Sequence, residues 1–287
     1  MPIDGLTIIG ETINDSVPST NKLFEAGDIE QILEIAKFQD ERGAGFIDVN
    51  VGSRTPEFMA DLVKKVQEVT SKPLSIDTPD PAIAKAGLEA YDPAKAGGQK
   101  PIFNSISPLR ANAFELVAVQ PFRPILLISE DVVDGESRPC HTAEETYESG
   151  KRLLQKARDA GLSNDDCILD PGIAPVGSDS EGNLKRLLDA MQLIHDDADF
   201  AGVHASVGLS NFTVMLPPKR GDGTPVKSPL ESAFLTKAMP LGLDMVIGSV
   251  KRKYRVLEAD DPALQCIEDV IRLGGFEAIM RVQEYYA

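Results

Sequence analysis

The stretch Phe46-Ile47-Asp48-Val49-Asn50-Val51-Gly52 decides the fold. It is an apolar run rich in Ile and Val, too short for a helix, with Asp and Asn near its end, and it predicts a buried strand. Thr55-Pro56-Glu57 follow it as an N-cap, a first-turn proline and an acid that suits a helix N-terminus. A strand running directly into a helix is one unit of a parallel sheet.

The unit recurs in both directions along the chain. Further strands are predicted in Leu6–Glu11, Leu74–Thr78, Pro101–Ser107, Pro124–Glu130, Cys167–Gly172, Phe200–Asn211 (one strand within it) and Asp244–Val250. Their near-continuous hydrophobicity suits a parallel sheet covered on its outer face. Helices are predicted between them. In Asp28–Arg42, Ile29, Ile32, Leu33 and Ala36 share one face, Asp28 caps the start and Gly43 stands at the end. Thr142-Ala143-Glu144-Glu145 forms a capping box before a helix through Ala160. Leu184, Leu187, Leu188, Met191 and Ile194 make an apolar stripe, and Asp261-Pro262 starts a helix through Leu273. Eight strand–helix alternations favour a closed (β/α)8 barrel, an α/β fold, over an open sheet. Nothing in composition splits the chain, so 1–287 reads as one domain. The Gly- and Pro-rich stretches Tyr91–Pro101, Gly172–Gly182 and Pro217–Pro229 read as loops.

Composition narrows the function. Lys and Arg number 29 against 45 Asp and Glu, a net charge of -16. Such a surface disfavours nucleic acid and anionic membranes. The expectation is a cytoplasmic protein: Met1–Gly10 lacks a basic leader region, no apolar run is long enough to span a bilayer, and Cys140, Cys167 and Cys266 are scattered. His141, His195 and His204 are scattered too, so no metal site is expected.

Barrel enzymes carry their chemistry at the C-terminal ends of the strands. There the sequence offers Glu11 with Asn14 beyond it, Asp48 and Asn50, Asp77, Asn104, Glu130, Asp170, and Ser210 with Asn211. Seven of eight strand ends thus deliver a carboxylate or carboxamide, more than helix capping explains. A carboxylate only accepts hydrogen bonds, whereas a carboxamide donates and accepts. Together they match a fused heteroaromatic ring with ring N–H, exocyclic amino and carbonyl groups. A phosphate ligand would call for Gly-rich backbone nests and cations instead.

Six segments in register carry a resemblance over about Leu6 to Val250. They are Ile8-Ile9-Gly10-Glu11-Thr12-Ile13-Asn14, Asp48-Val49-Asn50-Val51-Gly52, Leu74-Ser75-Ile76-Asp77-Thr78, Asn104-Ser105, Ile168-Leu169-Asp170-Pro171 and Gly208-Leu209-Ser210-Asn211. In these the chain resembles the pterin-binding barrels, and within them the methyltetrahydrofolate:corrinoid methyltransferases. The resemblance implies that Asp77, Asn104 and Asp170 grip the pyrimidine edge of a pterin. It implies that Asn211 reaches N5 as the catalytic group, and that Asp48, Asn50, Glu11 and Asn14 form the floor and its support, with Ser210 beside them. Tetrahydrofolate or methyltetrahydrofolate is then the substrate. The corrinoid comes from a partner protein, since no Asp-x-His-x-x-Gly motif occurs here, and that partner caps the barrel mouth. A homodimer and a place in an O-demethylase or methylamine system are also implied, with methyl moving from corrinoid to tetrahydrofolate.

The sequence departs from the family pattern after Asn211, where Phe212-Thr213-Val214-Met215-Leu216 is unusually apolar. Lys219 or Arg220 is the candidate for the folate's carboxylate tail. Two alternatives stay open. One is a condensing enzyme like dihydropteroate synthase, of whose Ser/Arg pair Gly248-Ser249-Val250-Lys251-Arg252 is a partial echo. The other is a folate-binding scaffold without turnover. The C-terminal segment Gly274–Ala287, with Phe276, Ile279, Met280 and Tyr285, is expected to pack on the barrel or on a neighbour.

Overall fold

The computed structural model describes residues 3–287; Met1 and Pro2, the first two residues of the N-terminal stretch, lie outside it. In chain order the elements are β1 (Thr7–Asn14), α1 (Pro18–Ala26), α2 (Ile29–Glu41), β2 (Phe46–Asn50), α3 (Pro56–Val69), β3 (Leu74–Asp77), α4 (Pro81–Ala90), β4 (Ile102–Ile106), β5 (Arg123–Leu127), β6 (Glu130–Val133) and β7 (Glu136–Pro139). Next come α5 (Ala143–Asp159), β8 (Ile168–Asp170), α6 (Asn183–Asp196), β9 (His204–Ala205), α7 (Leu209–Phe212), α8 (Lys227–Ala238), β10 (Met245–Gly248), α9 (Pro262–Leu273) and α10 (Gly275–Tyr286). Eight strands pair in the order β10-β1-β2-β3-β4-β5-β8-β9, all in parallel. A parallel bridge between Gly208 and Ile247 joins the two ends and closes a (β/α)8 barrel.

Alternation along each strand sorts the side chains. Outward residues such as Ile47, Val49, Leu74, Ile76, Phe103, Leu126 and Leu169 pack beneath the helices in one large core. A second core joins the late helices to Val207, Leu209 and Val246. Inward residues Ile9, Phe46, Ile102, Ile125, Ile168 and Met245 fill the base of the barrel. Each buried aliphatic side chain contributes roughly 1.5–3 kcal/mol relative to exposure. Two residues further along the same inward faces stand Glu11, Asp48, Asn104 and Asp170. The barrel therefore has an apolar floor and a polar mouth, written by the period of two.

The helix starts follow their caps. Asp28 accepts from Gln31, Thr55 from Phe58 and Asp261 from Ala263, and Thr142 with Glu145 closes both bonds of its box. Each such cap is worth about 1 kcal/mol. Gly43 follows α2 with φ +85, a conformation that glycine adopts without strain.

Several expectations are corrected. The fifth barrel strand ends at Leu127, and Glu130 instead opens the antiparallel hairpin β6–β7, where it accepts from Ser137. Cys140 N–H to the Ser129 carbonyl and Ser149 Oγ to the Glu130 carbonyl draw that segment off the barrel. Gly208–Asn211 is not a strand end but the entry to one helical turn, α7. The loop at Pro217–Pro229 is cut short by α8, which begins at Lys227. Helix α1 had no apolar periodicity to announce it. The last helix, α10, packs Ala278, Val282 and Tyr285 on the barrel, leaving Phe276 and Met280 exposed. No helix of the described residues is long and apolar enough to cross a membrane.

Candidate functional site

A cavity of about 560 Å³ occupies the polar mouth. Glu11, Asn14, Asp77, Asn104, Asp170, Ser210 and Asn211 line it, with Leu127, Ile173 and Ile247 as its apolar walls. Seven of the nine side chains singled out from sequence thus meet in one space. The other two lie behind it. Asn50 donates through Nδ2 to Asp77 Oδ2 at 2.9 Å and accepts from the Gly52 N–H at 2.9 Å, so it fixes the Asp77 carboxylate. Asp48 is wholly buried, lies against Ser75 and Asp77, and neither of its oxygens has a hydrogen-bond partner at good geometry. Burial, then the adjacent Asp77 charge, push the Asp48 carboxyl well above its ordinary range. The protonated form is favoured there, which leaves the negative charge on Asp77.

Asp77 and Asn104 are register partners on β3 and β4. Burial raises the Asp77 carboxyl, and the Asn50 hydrogen bond opposes that rise. Asp170 ends β8, and its Oδ1 accepts from the Gly172 N–H at 2.8 Å. Burial pushes it up to about 6 against the Gly172 bond and the nearby Arg186 charge. Arg186 is itself buried. Its guanidinium donates to Thr146 Oγ1 at 2.7 Å and to the carbonyls of Pro171 and Gly172 at 3.0 and 3.1 Å, clasping the turn that carries Asp170.

On the opposite side of the mouth, Glu11 Oε1 accepts from Ser210 Oγ at 2.5 Å and ties β1 to α7. Burial raises Glu11, with Ser210 opposing it. Asn211 sits one residue on. A Cβ at Gly208 would come within 2.8 Å of Asn211 Nδ2, so the absence of a side chain at 208 gives the carboxamide its place. The Asn211 side chain makes no hydrogen bond to any described residue. Asn14 Oδ1 is engaged by Ser16 N and Oγ at 2.9 and 2.6 Å, which leaves its amide group free to donate.

Glu231 and Arg252 were not found from sequence. Glu231 is fully buried in α8. Its Oε1 accepts from Thr213 Oγ1 at 2.5 Å, and its Oε2 lies 3.3 Å from Arg252 Nε. Thr213 ends α7, so this pair anchors the turn that carries Asn211. Arg186 and Glu231 were hidden in apolar stripes; a charged residue inside such a stripe was the available signal. Lys219 and Arg220 do not line the cavity, and Arg220 instead stacks on the Tyr285 ring at 3.8 Å. His204 pairs with Asp244 at 2.5 Å at the start of β9, away from the mouth. Among the described residues no group of three or more His, Cys, Asp or Glu could hold a metal.

A cavity lined by acceptors on three adjacent inward faces and a free carboxamide opposite suits a flat heterocycle rich in N–H donors. A model of the family described as pterin binding enzyme matches residues 12–248, and the chain belongs to that family. It is also similar to the methylcorrinoid:tetrahydrofolate methyltransferase of Eubacterium limosum, 28% identical over 261 residues that cover 84% of this chain and 84% of that one. Dihydropteroate synthase of Yersinia pestis, solved with a pterine-sulfa conjugate, matches 94% of this chain and 96% of its own at TM-score 0.55 and 15% identity. The 7,8-dihydropteroate synthase of Vibrio fischeri matches 99% and 93% at TM-score 0.57 and 15% identity. At that identity the likeness to both is one of fold.

Proposed function

We propose that the chain is a methyltransferase that moves a methyl group from the cobalt of a methylcorrinoid protein to N5 of tetrahydrofolate. The observation that carries this reading is the unengaged Asn211 carboxamide facing the Asp77, Asn104 and Asp170 wall across one cavity. The name of the Eubacterium limosum relative supports the same direction. In this reading Asp77 and Asp170 accept from the amino and ring N–H groups of the pyrimidine edge. Asn104 serves the carbonyl. Asn50 and Asp48 set the floor, and Glu11, Asn14 and Ser210 complete the wall.

N5 attacks the methyl carbon, and the carbon–cobalt bond breaks with its electron pair left on cobalt. N5 becomes an ammonium and then loses its proton to water. The Asn211 carbonyl accepts from N5–H, and that bond strengthens as positive charge develops, so it lowers the barrier more than it tightens the ground state. The negative field of Glu11 acts in the same sense. Holding ring and methyl in line supplies much of the remaining acceleration. A chain that drains methyl groups from a corrinoid would serve a demethylation system. Exposed Phe276 and Met280 on α10 support a homodimer.

The test is spectroscopic. With a methylated corrinoid protein present, adding tetrahydrofolate should bleach the methyl-cobalt(III) absorption only when the chain is present. Binding of the folate with no spectral change would sink the reading.

The partner's seat is supported by the rim loops. Leu109 is 55% exposed, Val133 41%, Val214 55% and Met215 71%, all on loops that follow strand ends. Exposed apolar groups around a mouth mark contact with a partner. We therefore expect Met215→Glu to raise KM for a methylated corrinoid protein by about tenfold, the cost of one good interface contact. Turnover with free methylcobalamin and the Kd for tetrahydrofolate should both be unchanged. A rise with free methylcobalamin would place Met215 in the pocket instead.

A further inference from the structure

A second cavity, of about 810 Å³, opens beside the first. Lys251, Arg252, Lys253 and Arg255 line it, with Ser228 and Ser249. Glu11 and Ser210 line both cavities, so the two adjoin along those residues. Four cations within five residues are out of keeping with a chain of net charge -16. Ion pairing accounts for only half of them. Arg252 is held by Glu231 at 3.3 Å, and Arg255 lies 3.1 Å from Asp261. Neither Lys251 nor Lys253 has a carboxylate within 4.0 Å among the described residues, and both are exposed. Cations gathered without internal partners along a walled groove form a receptor for a multiply charged anion.

The proposed pterin pose decides which anion, so the assignment of the groove rests on the pterin reading. With the pyrimidine edge on Asp77, Asn104 and Asp170, the far end of the bicyclic ring faces Glu11, Ser210 and Asn211. The substituent of a folate leaves the ring at that far end. It therefore exits past Glu11 and Ser210, into the basic groove. We propose that this groove binds the γ-linked glutamate tail of tetrahydrofolate and selects polyglutamylated forms. Each added glutamate brings one more carboxylate, and Lys251 and Lys253 are the cations free to meet them.

The test compares affinities of the whole chain for three probes: a tail-less tetrahydropterin, monoglutamyl tetrahydrofolate and its pentaglutamyl form. The pentaglutamyl form should bind about tenfold tighter than the monoglutamyl form at low salt, the sum of a few partly screened ion pairs. High salt should shrink that ratio. The double substitution Lys251→Ala with Lys253→Ala should bring it below about threefold while leaving the tail-less pterin's affinity as it is. Both side chains are exposed and unpaired, so the fold is not at stake. Equal binding of the two folates, with the tail-less pterin still bound, overturns the groove and spares the pterin site. Failure of all three probes overturns the pterin site itself. If tail length has no effect but the double variant raises KM for a methylated corrinoid protein, the groove serves the partner and the proposal falls.

Discussion

Asn211→Ala should lower the rate of methyl transfer by about 100-fold while changing the Kd for tetrahydrofolate by less than about threefold, since removing one donor or acceptor aimed at developing charge typically costs that much in turnover. The expectation comes from where the carboxamide stands. It makes no bond to the protein, so its loss leaves no buried group orphaned and should not disturb α7, which Ser210–Glu11 and Thr213–Glu231 hold independently. Its contact with N5 would strengthen only as N5 becomes cationic, so the ground state loses little. Single-turnover kinetics with a methylated corrinoid protein, beside an equilibrium titration, separates the two effects. A variant that loses affinity but keeps its rate would show a binding residue, and a wild type with no turnover at all would favour the folate-binding scaffold.

Asp170→Asn should act in opposite directions on stability and on binding. The carboxyl is raised by burial to about 6 in the folded protein, from an ordinary value of 3.8. A carboxyl raised on folding favours the native state only while protonated. Its stability contribution is complete below about pH 4 and is lost as pH climbs through about 6. Above that window the buried charge costs about 3 kcal/mol at one pKa unit per 1.4 kcal/mol. The asparagine never bears the charge, and its carbonyl can still accept from Gly172. Urea unfolding should therefore show the variant more stable than wild type at pH 7.5, by up to about 3 kcal/mol, with the advantage gone at pH 4. Folate affinity at pH 7.5 should fall by about 10- to 100-fold, because a charge-assisted acceptor becomes a neutral one. A variant less stable than wild type at pH 7.5 would mean that the ionised carboxylate is well solvated in the empty cavity.

The barrel was legible because its strands are marked by composition as well as by period. Runs such as Phe46–Gly52 and Ile168–Asp170 are apolar on both faces until their last inward residue, and that residue is polar. The site followed from the same ends, which is why Asp77, Asn104, Asp170, Glu11, Asn14, Ser210 and Asn211 converge. What was illegible is what alternation cannot encode. Glu130 follows Ser129 without a break in pattern, and only the Cys140 and Ser149 contacts bend it into a hairpin. Arg186 and Glu231 act through long-range bonds to turns that local sequence does not mention. The basic groove comes from residues beyond β10, where no strand or helix period directs attention. Lys219 and Arg220 looked equally suitable as cations, but Tyr285, from the other end of the chain, claims Arg220.

The closure of the barrel between β9 and β10 is narrow. β9 has two residues, and the seam rests on the Gly208–Ile247 bridge with the bonds from Asp244 N–H to the Ala205 carbonyl and from Ile247 N–H to the Val207 carbonyl. So slender a join belongs among the parts of a fold that open first, well below the cost of global unfolding. The Ser210–Glu11 bond spans that seam from α7 to β1, and a ligand seated against both would span it too. Amide hydrogen exchange at Val207–Asn211 and Ile247 then becomes a gauge of occupancy: rapid in the free protein, slowed when the mouth is filled, with the strands on the far side of the barrel indifferent to either state.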